Sequence, residues 1–550
     1  MERPLLSRER EDERVIGWQF DTRREGGASM QRKNSAQEES GDVKTVAAID
    51  IGSNAVRMVV AEVLPDGRVA TLERLHRAVR LGQDSFRRGR LGNRSMRAAI
   101  TVLRDYRQVL ELYNVEQIRA VATSAVREAV NCDTFLDRIF MATGFNVEVI
   151  GTSEESRLTV SAVRQAVAGA GAVNRDRTLI ADVGGGSTLL IVLEEGEIAS
   201  SYSLRLGSIR LQEMFLTGEE LSDRSGDFLS PHIAKVVTTA EGSVPLDDIQ
   251  SFVAVGGDVR FAAQKIGTPT ESEDLYAVDA SHFNRLVSEC EHLSVEQTAR
   301  KHGLPIADAE TLTPALLIYR ALLDRTKADE MIVSRVSMRD GLLLDMARNV
   351  TDEEDEEIVE GVLHSAQTLA EKYRVDPQHA RDVVGLSLRL FDEFQPDHGL
   401  GARERLLLHV AGLLHEVGGY VAAAAHHKHS YYLIRYSEIF GLTPREVQLV
   451  AHVARYHRRS VPKPSHMDYM SLPREQRVRV SKLAAILRAC DALSRGQIRN
   501  AQSLRLERQG DELIIVVPGV NNLVLERKAI ASKGDMFEDI YGMRIRLEEA

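Results

Sequence analysis

Cysteine is scarce in this chain: Cys132, Cys290 and Cys490 are three in 550 residues, odd in number and widely spaced. That excludes a disulfide framework and a cysteine-rich zinc knuckle, and it suits a reducing, cytoplasmic compartment. Long apolar runs are missing as well. No stretch approaches the roughly 20 residues that span a bilayer. The N-terminal MERPLLSREREDERVIGW carries charge where a secretory leader is apolar, so neither a membrane partner nor secretion is expected. Excess positive charge is also lacking. The 70 Lys and Arg against 81 Asp and Glu leave a formal net charge of -11, which argues against specific nucleic-acid binding but leaves room for a local basic patch that holds a polyanion. The patterns GxxxxGK(S/T) and GxGxxG are both absent, which disfavours P-loop and Rossmann chemistry.

What is present is ordinary for soluble globular protein, 43% hydrophobic and 27% charged, at a length that requires three or four cores. Residues 1–42 are polar, mixed in charge and without periodicity, the pattern of a disordered tail. Residues 43–165 alternate strand-like runs at 45–50, 56–63, 118–122 and 146–150 with a helical stretch at 95–114, which predicts a first α/β domain. A second is expected over 166–349, with a strand from Thr178 and another from Phe252 to Val255 that runs into the glycine turn VGGD. The acidic run DEEDEE at 352–357 marks a boundary, either as a solvated linker or as a helix start with Thr351 as N-cap. Apolar residues recurring at three and four in ARDVVGLSLRLFDEF and RERLLLHVAGLLHEV predict an all-α domain over 350–498. The runs LRLERQ and ELIIVVP predict a small α+β unit over 499–550.

One pattern occurs in both α/β domains. VAAIDIGSNAVRMVV and TLIADVGGGSTLLIV each end an apolar run with an aspartate, Asp50 or Asp182, turn through glycine, and resume as a second apolar run. A repeat on this scale predicts two related domains facing each other. Gly52 in the first turn and Gly184, Gly185 and Gly186 in the second let backbone N–H groups approach an anion, with positive φ available to them. Successive N–H groups form a concavity that suits phosphate oxygens. Ser53, Asn54, Ser187 and Thr188 add side-chain donors, and Asp50 and Asp182 offer the hard oxygen ligands that Mg2+ prefers. The bland alternative is two unremarkable glycine-turn hairpins; two matched copies, each with Asp two residues before Gly, weigh against it.

Together with ATSAVREAVN (122–131), SEESRL (153–158) and SMRDGLL (337–343), the segments DIGSNAVRMVV and DVGGGST resemble the signatures of the exopolyphosphatase/guanosine pentaphosphate phosphohydrolase (Ppx/GppA) family, within the actin-like ATPase superfold. The likeness runs from about Val46 to Met346 and, more loosely, into the helical domain behind it. It implies an α/β protein with two actin-like, ribonuclease H-like domains facing a cleft, followed by an all-α HD-like domain and a small α+β C-terminal unit. It further implies Mg2+-dependent hydrolysis of a terminal phosphoanhydride, inorganic polyphosphate or guanosine pentaphosphate as substrate, and a homodimer. Carried over by position, the catalytic glutamate falls on Glu155 with Glu154 beside it, while Arg57, Arg80 and Arg127 fall near the phosphates. Without the likeness, SEESR reads as an exposed helix start, Ser153 capping and the glutamates facing the dipole.

The chain departs from the family at one position. The family usually continues GGGST with glutamate, a second acidic group at the metal and water site, and here Leu189 stands in that place. Leucine neither binds a cation nor accepts a proton. Slower catalysis, a carboxylate supplied from elsewhere, or a regulatory protein that binds polyphosphate or (p)ppGpp without turnover all remain open. The VGGD turn at Gly256 and Gly257 keeps an actin-like ATPase or kinase in view as well.

Two further stretches attract notice. RLHRAVRLGQDSFRRGRLGNRSMR (74–97) carries eight arginines against one acid, Asp84, and reads as a solvated loop and helix face with Arg80 singled out by the family segment VRLG. The helical region holds His379, His415 with Glu416, His426, His427, His429, His457 and Asp491, an order that resembles the HD metal-phosphohydrolase pattern. HD requires aspartate where Glu416 stands, and glutamate reaches one methylene further, so an HD-like scaffold without its metal is expected. VARYHRRSVPK, with Arg455, Arg458, Arg459 and Lys463, reads either as a cationic track for a long substrate or as a solvated helix end.

Overall fold

A computed structural model describes residues 43–167, 177–215, 225–241, 244–272, 274–351, 356–458, 460–494, 498, 504–520 and 522–549. The expected tail 1–42, residues 352–355 of the acidic run, and Arg459 lie outside them. Among the described residues no helix is long and apolar enough to cross a membrane.

Two sheets carry the duplicated pattern. In the first, the strands run in the order Val69–Ala78, Ala55–Val63, Lys44–Ile51, Gln117–Ala122, Val147–Val149. Lys44–Ile51 pairs antiparallel with Ala55–Val63 and parallel with Gln117–Ala122. In the second sheet Glu197–Leu204, Thr188–Glu194, Arg177–Val183, Ser251–Val255 and Glu330–Ser334 repeat that order and those directions, and Leu275–Asp279 and Thr268–Pro269 extend it at one edge. The first strand of each sheet reads as a continuous apolar run because helices cover both faces; Val46 to Ile49 and Leu179 to Ala181 are wholly buried.

The helices do not follow the boundary at residue 165. Thr152–Val167 packs through Val160, Val163 and Val167 against Ile180 and Ile191 of the second sheet. Met338–Thr351, at the far end of the second domain's sequence, sends Leu342, Leu343 and Met346 back against Val46, Ala48 and Val59 of the first. Each lobe is thus completed by a helix from the other's stretch of chain. The two helices cross where Leu158 meets Gly341, so closely that a Cβ on Gly341 would lie 2.0 Å from the Leu158 carbonyl oxygen. Thr351 ends a helix and is not the N-cap of the next, which begins at Glu356.

Beyond residue 356 the expected helices form, among them Pro377–Glu393, Ala402–Leu414, Pro444–Arg455 and Arg474–Leu493. The terminal sheet of Arg505–Gln509, Glu512–Val517 and Arg544–Glu549 does not stand apart, because Leu513, Ile515, Phe537 and Leu547 share one core with Leu414, Val450 and Leu487. The arginine-rich stretch also differs from its expectation. It opens as the edge strand Val69–Ala78 and continues as the helix Leu81–Arg88.

The crossing makes a direct test. Gly341→Ala should cost about 1–3 kcal/mol or more, since backbone and not a flexible side chain blocks the added methyl. Denaturant unfolding of the variant beside the parent measures it, and an unchanged midpoint would mean the helices do not meet as described.

Candidate active site

The two aspartate turns converge. Asp50, Gly52, Ser53 and Asn54 from the first and Asp182, Gly184, Gly185 and Ser187 from the second line a single cleft of about 480 Å3 between the lobes, with Arg57 and Glu155. Each turn is closed by its own backbone, Gly52 N–H to Ala55 O at 3.0 Å and Gly184 N–H to Ser187 O at 2.9 Å. The glycines serve by size and not by conformation. Positive φ was available to Gly52, Gly184, Gly185 and Gly186, and none of the four uses it. A Cβ on Gly185 would lie 3.1 Å from Ser53 Cβ, and one on Gly186 would lie 2.3 Å from Phe86 Cζ and 2.4 Å from Ser124 Oγ. The turns approach as they do because nothing projects from the second one.

Buttresses hold that approach. Arg210 donates to the Gly186 carbonyl at 2.7 Å and to Glu128 at 2.6 Å, with its guanidinium 4.2 Å over the Phe86 ring. Ser53 Oγ lies 3.1 Å from Ser124 Oγ. Tyr319 accepts from Val183 N–H at 3.1 Å and donates to the Val255 carbonyl, tying the second turn to the VGGD turn.

The charged groups divide by position. Asp50 faces Arg339 at 3.1 Å and Arg57 at 3.7 Å. Asp182 is pushed up to about 7 by burial, with Glu155 adding to the rise and Arg260 opposing it. Burial also raises Glu155, against the pull of Arg127, whose guanidinium donates to it and to the Ile150 carbonyl. Asp258 of the VGGD turn reaches about 6, again through burial, although Thr311 donates to it at 3.0 Å. Arg339 is lowered to about 10 by burial and then by Arg57, and burial followed by Arg57 also lowers Arg260. Buried carboxylates with raised pKa values and crowded guanidinium groups thus share one cleft, the kind of environment that marks a functional site.

Several expected site residues lie elsewhere. Glu154 is outside the cleft: burial disfavours its charge, but Arg157 at 2.8 Å and Arg119 at 3.1 Å hold its carboxyl below the usual range. Those arginines also bind Asp345, so Glu154 belongs to a buried network at the helix crossing. Successive helical residues point roughly 100° apart, and Glu155 alone reaches the cleft. The exposed, capped helix start is not found either. Ser153 is buried and donates to the Leu442 carbonyl at 2.7 Å. Thr188 spends its hydroxyl on the Leu206 carbonyl at 2.6 Å, and Arg80 pairs with Glu310 at 3.0 Å. Gly186, Thr188, Arg80, Arg127 and Glu154 are not among the lining residues. Arg127 acts on Glu155 from behind.

Sequence reasoning missed Arg260, Arg339, Asp258 and Arg210. Arg339 lies inside the quoted SMRDGLL, Asp258 is the aspartate of VGGD and Arg260 stands two residues beyond it, so these three had a flag beside them and Arg210 had none. Leu189 sits directly across the hairpin from Asp182, buried and lining the cleft, in the place that Arg57 holds across from Asp50. Opposite residues of an antiparallel pair share a face, so an acid at 189 would stand beside Asp182.

Two lobes of repeated topology, joined by crossed helices beside a charged cleft, define an actin-like α/β protein with a helical extension. The chain belongs to the Ppx/GppA phosphatase family, whose model matches residues 59–350, more than half of its length. The model of Ppx/GppA phosphatase, domain III, matches residues 363–531. A guanosine-5'-triphosphate,3'-diphosphate pyrophosphatase from Aliivibrio fischeri is 25% identical over 480 residues, covering 86% of this chain and 91% of its own. Among solved structures, an exopolyphosphatase from Cytophaga hutchinsonii is 23% identical, covers 56% of this chain and 98% of its own, and superposes with a TM-score of 0.51. An exopolyphosphatase-like protein gives 22%, 56%, 99% and 0.50 for the same quantities. The last two likenesses establish the fold.

Tyr319 gives a test of the buttressing. Tyr319→Phe leaves the Val183 N–H and the Val255 carbonyl without their shared partner and should cost about 1–3 kcal/mol, read from unfolding midpoints. A change under a few tenths would mean that the hydroxyl does not brace the two turns.

Proposed function

We propose that the protein hydrolyses the terminal phosphoanhydride of a linear phosphate chain, either inorganic polyphosphate or the 5' end of guanosine pentaphosphate, with Mg2+. The observation that carries this reading is the meeting of Asp50, Glu155 and Asp182 with Arg57, Arg260 and Arg339 in one cleft between the glycine turns. Family membership and the name of the Aliivibrio fischeri relative support the same chemistry.

A terminal phosphate seated between the turns meets the hydroxyls of Ser53 and Ser187 and the three guanidinium groups, which offset the charge spread over its oxygens in the transition state. Glu155 orients a water and takes its proton as the water oxygen bonds to the terminal phosphorus. The anhydride P–O bond breaks, and its electron pair leaves with the shortened chain. Burial lifts Glu155 toward the working pH, the direction that suits a general base. Arg127 opposes that rise and aims the carboxylate.

Asp182 and Asp50 would hold Mg2+. The strain of burying Asp182 near Glu155 is what a cation relieves. Among the described residues no three cleft carboxylates gather closely enough to cage an ion alone, which agrees with the habit of Mg2+ of binding one or two carboxylates, waters and substrate oxygens. Once bound, it neutralises phosphate oxygens.

Leu189 favours a second reading, a binding protein of low turnover, because a carboxylate is missing beside Asp182. Phosphate release from polyphosphate and from guanosine pentaphosphate, with and without Mg2+, decides between the two. Under the first reading Glu155→Gln lowers kcat by about 10²–10⁴-fold with little loss of stability. Glu154→Gln does the reverse, costing about 3–5 kcal/mol of stability by leaving buried arginine charge unpaired. Equal effects of the two on kcat would overturn the assignment. Leu189→Glu should change turnover by less than about tenfold, or 1.4 kcal/mol; a larger rise supports the low-turnover reading.

A further inference from the structure

The histidine series has no part in the cleft, yet it assembles at the centre of the helical region. Asp376 caps Pro377–Glu393 by accepting from the N–H groups of Gln378 and His379, at 2.9 and 3.3 Å, which fixes His379 in the first turn. His415 and Glu416 follow Ala402–Leu414, and Asp491 lies in the last turn of Arg474–Leu493. The ligand atoms of these four side chains lie within 4.8 Å of one another, the only such group of His, Cys, Asp or Glu among the described residues. His379 Nε2 stands 3.6 Å from Asp491 Oδ1 and 4.0 Å from Glu416 Oε1.

The hydrogen bonds sort the histidines. His415 is wholly buried, and its Nδ1 donates to the Gly412 carbonyl at 2.7 Å. The lone pair is therefore on Nε2, a buried atom without a hydrogen-bond partner. His457 likewise donates from Nδ1 to the Ala454 carbonyl at 2.5 Å, but its Nε2 accepts from His426 Nε2 at 3.2 Å, and His426 Nδ1 accepts from Arg458 at 3.0 Å. His426 and His457 thus saturate each other and form a wall, while His415 keeps a free lone pair. Lys533 donates to Asp491 Oδ2, and Oδ1 is the oxygen that faces His379.

Glu416 was expected to displace a metal because its side chain is longer than aspartate's. It sits instead where the chain leaves the α-helix for the turn Val417–Tyr420, and that change of backbone direction lets its carboxylate reach the other three groups.

We propose that His379, His415, Glu416 and Asp491 bind one divalent transition-metal ion of the Zn2+ type at the junction of three elements of the helical region. Two imidazoles and two carboxylates suit such an ion and not Mg2+, which takes oxygen ligands. Ligand bonds of about 2.0–2.2 Å give tetrahedral edges of roughly 3.4 Å, so the separations of 3.6 and 4.0 Å close by about 0.2 and 0.6 Å, and no pair, all lying within 4.8 Å, by more than about 1.4 Å. The two carboxylates and Lys533 leave one net negative charge for the ion to offset. Binding requires neutral imidazoles and ionised carboxylates, so any proton these groups hold is released as the ion enters.

The test uses the full chain, stripped with a chelator and titrated with Zn2+ by calorimetry, as wild type, His415→Ala, Glu416→Gln and Asp182→Asn. Wild type and Asp182→Asn should bind one Zn2+ per chain, release a proton and melt at higher temperature with the ion. His415→Ala should weaken binding by on the order of 100-fold. Co2+ in place of Zn2+ should give visible ligand-field bands in wild type that His415→Ala loses. Should His415→Ala fail to fold, Glu416→Gln, altered at a turn, makes the same comparison. Two results overturn the proposal: no stoichiometric Zn2+ in wild type, or a Zn2+ site that Asp182→Asn abolishes and His415→Ala and Glu416→Gln spare. In either case the cluster is a polar core neutralised by a proton and Lys533.

Discussion

The contact between the Leu158 backbone and Gly341 is the constraint on which the rest of the molecule depends. The helices Thr152–Val167 and Met338–Thr351 pass at backbone distance, and each finishes the core of the opposite lobe. Around the crossing, Arg119 and Arg157 meet Glu154 and Asp345, two charges of each sign. Removing such groups from water is costly, and a buried network of this kind earns little net stability. What it provides is registry: only one angle and one offset of the helices satisfy both arginines together.

The cleft follows from that registry. With the lobes fixed, the turns at Gly52 and at Gly184 to Gly186 face each other, and the absence of side chains on the second lets Ser53, Phe86 and Ser124 close on it. The duplication is symmetric in backbone and asymmetric in chemistry. The residue across the hairpin from the aspartate is Arg57 in one lobe and Leu189 in the other. One turn therefore has its acid balanced by guanidinium groups, while the acid of the other is crowded by Glu155 and raised in pKa.

Much of this was legible in the residues. The paired Asp-x-Gly turns are local signals, since strand, turn and strand lie within twenty residues and their spacing survives folding. The sheets and the helical region were readable for the same reason, through unbroken apolar runs and a three-four periodicity. The exchange of helices between lobes was not, because nothing in the sequence of Thr152–Val167 says which sheet its apolar stripe covers. It was the family resemblance, not residue type, that put the catalytic role on Glu155 with Glu154 beside it; in the fold helical rotation parts the two, Glu155 lining the cleft and Glu154 held by Arg157. Arg260 and Arg339 stood beside quoted motifs, but only long-range packing brings them into the cleft, and Arg210 carries no local signal for its place behind the second turn. The length of the Glu416 side chain was legible, but its place just beyond the helix Ala402–Leu414 was not.

The helix Thr152–Val167 is held at three points: Ser153 and Thr152 are bonded to the Leu442 carbonyl and Glu438 of the helical region, Leu158 is pinned at the crossing, and Glu155 lies between them. The helical region thus grips one end of the helix that carries Glu155 into the cleft, and so bears on the placement of that carboxylate even though it contributes no atom to the cleft lining.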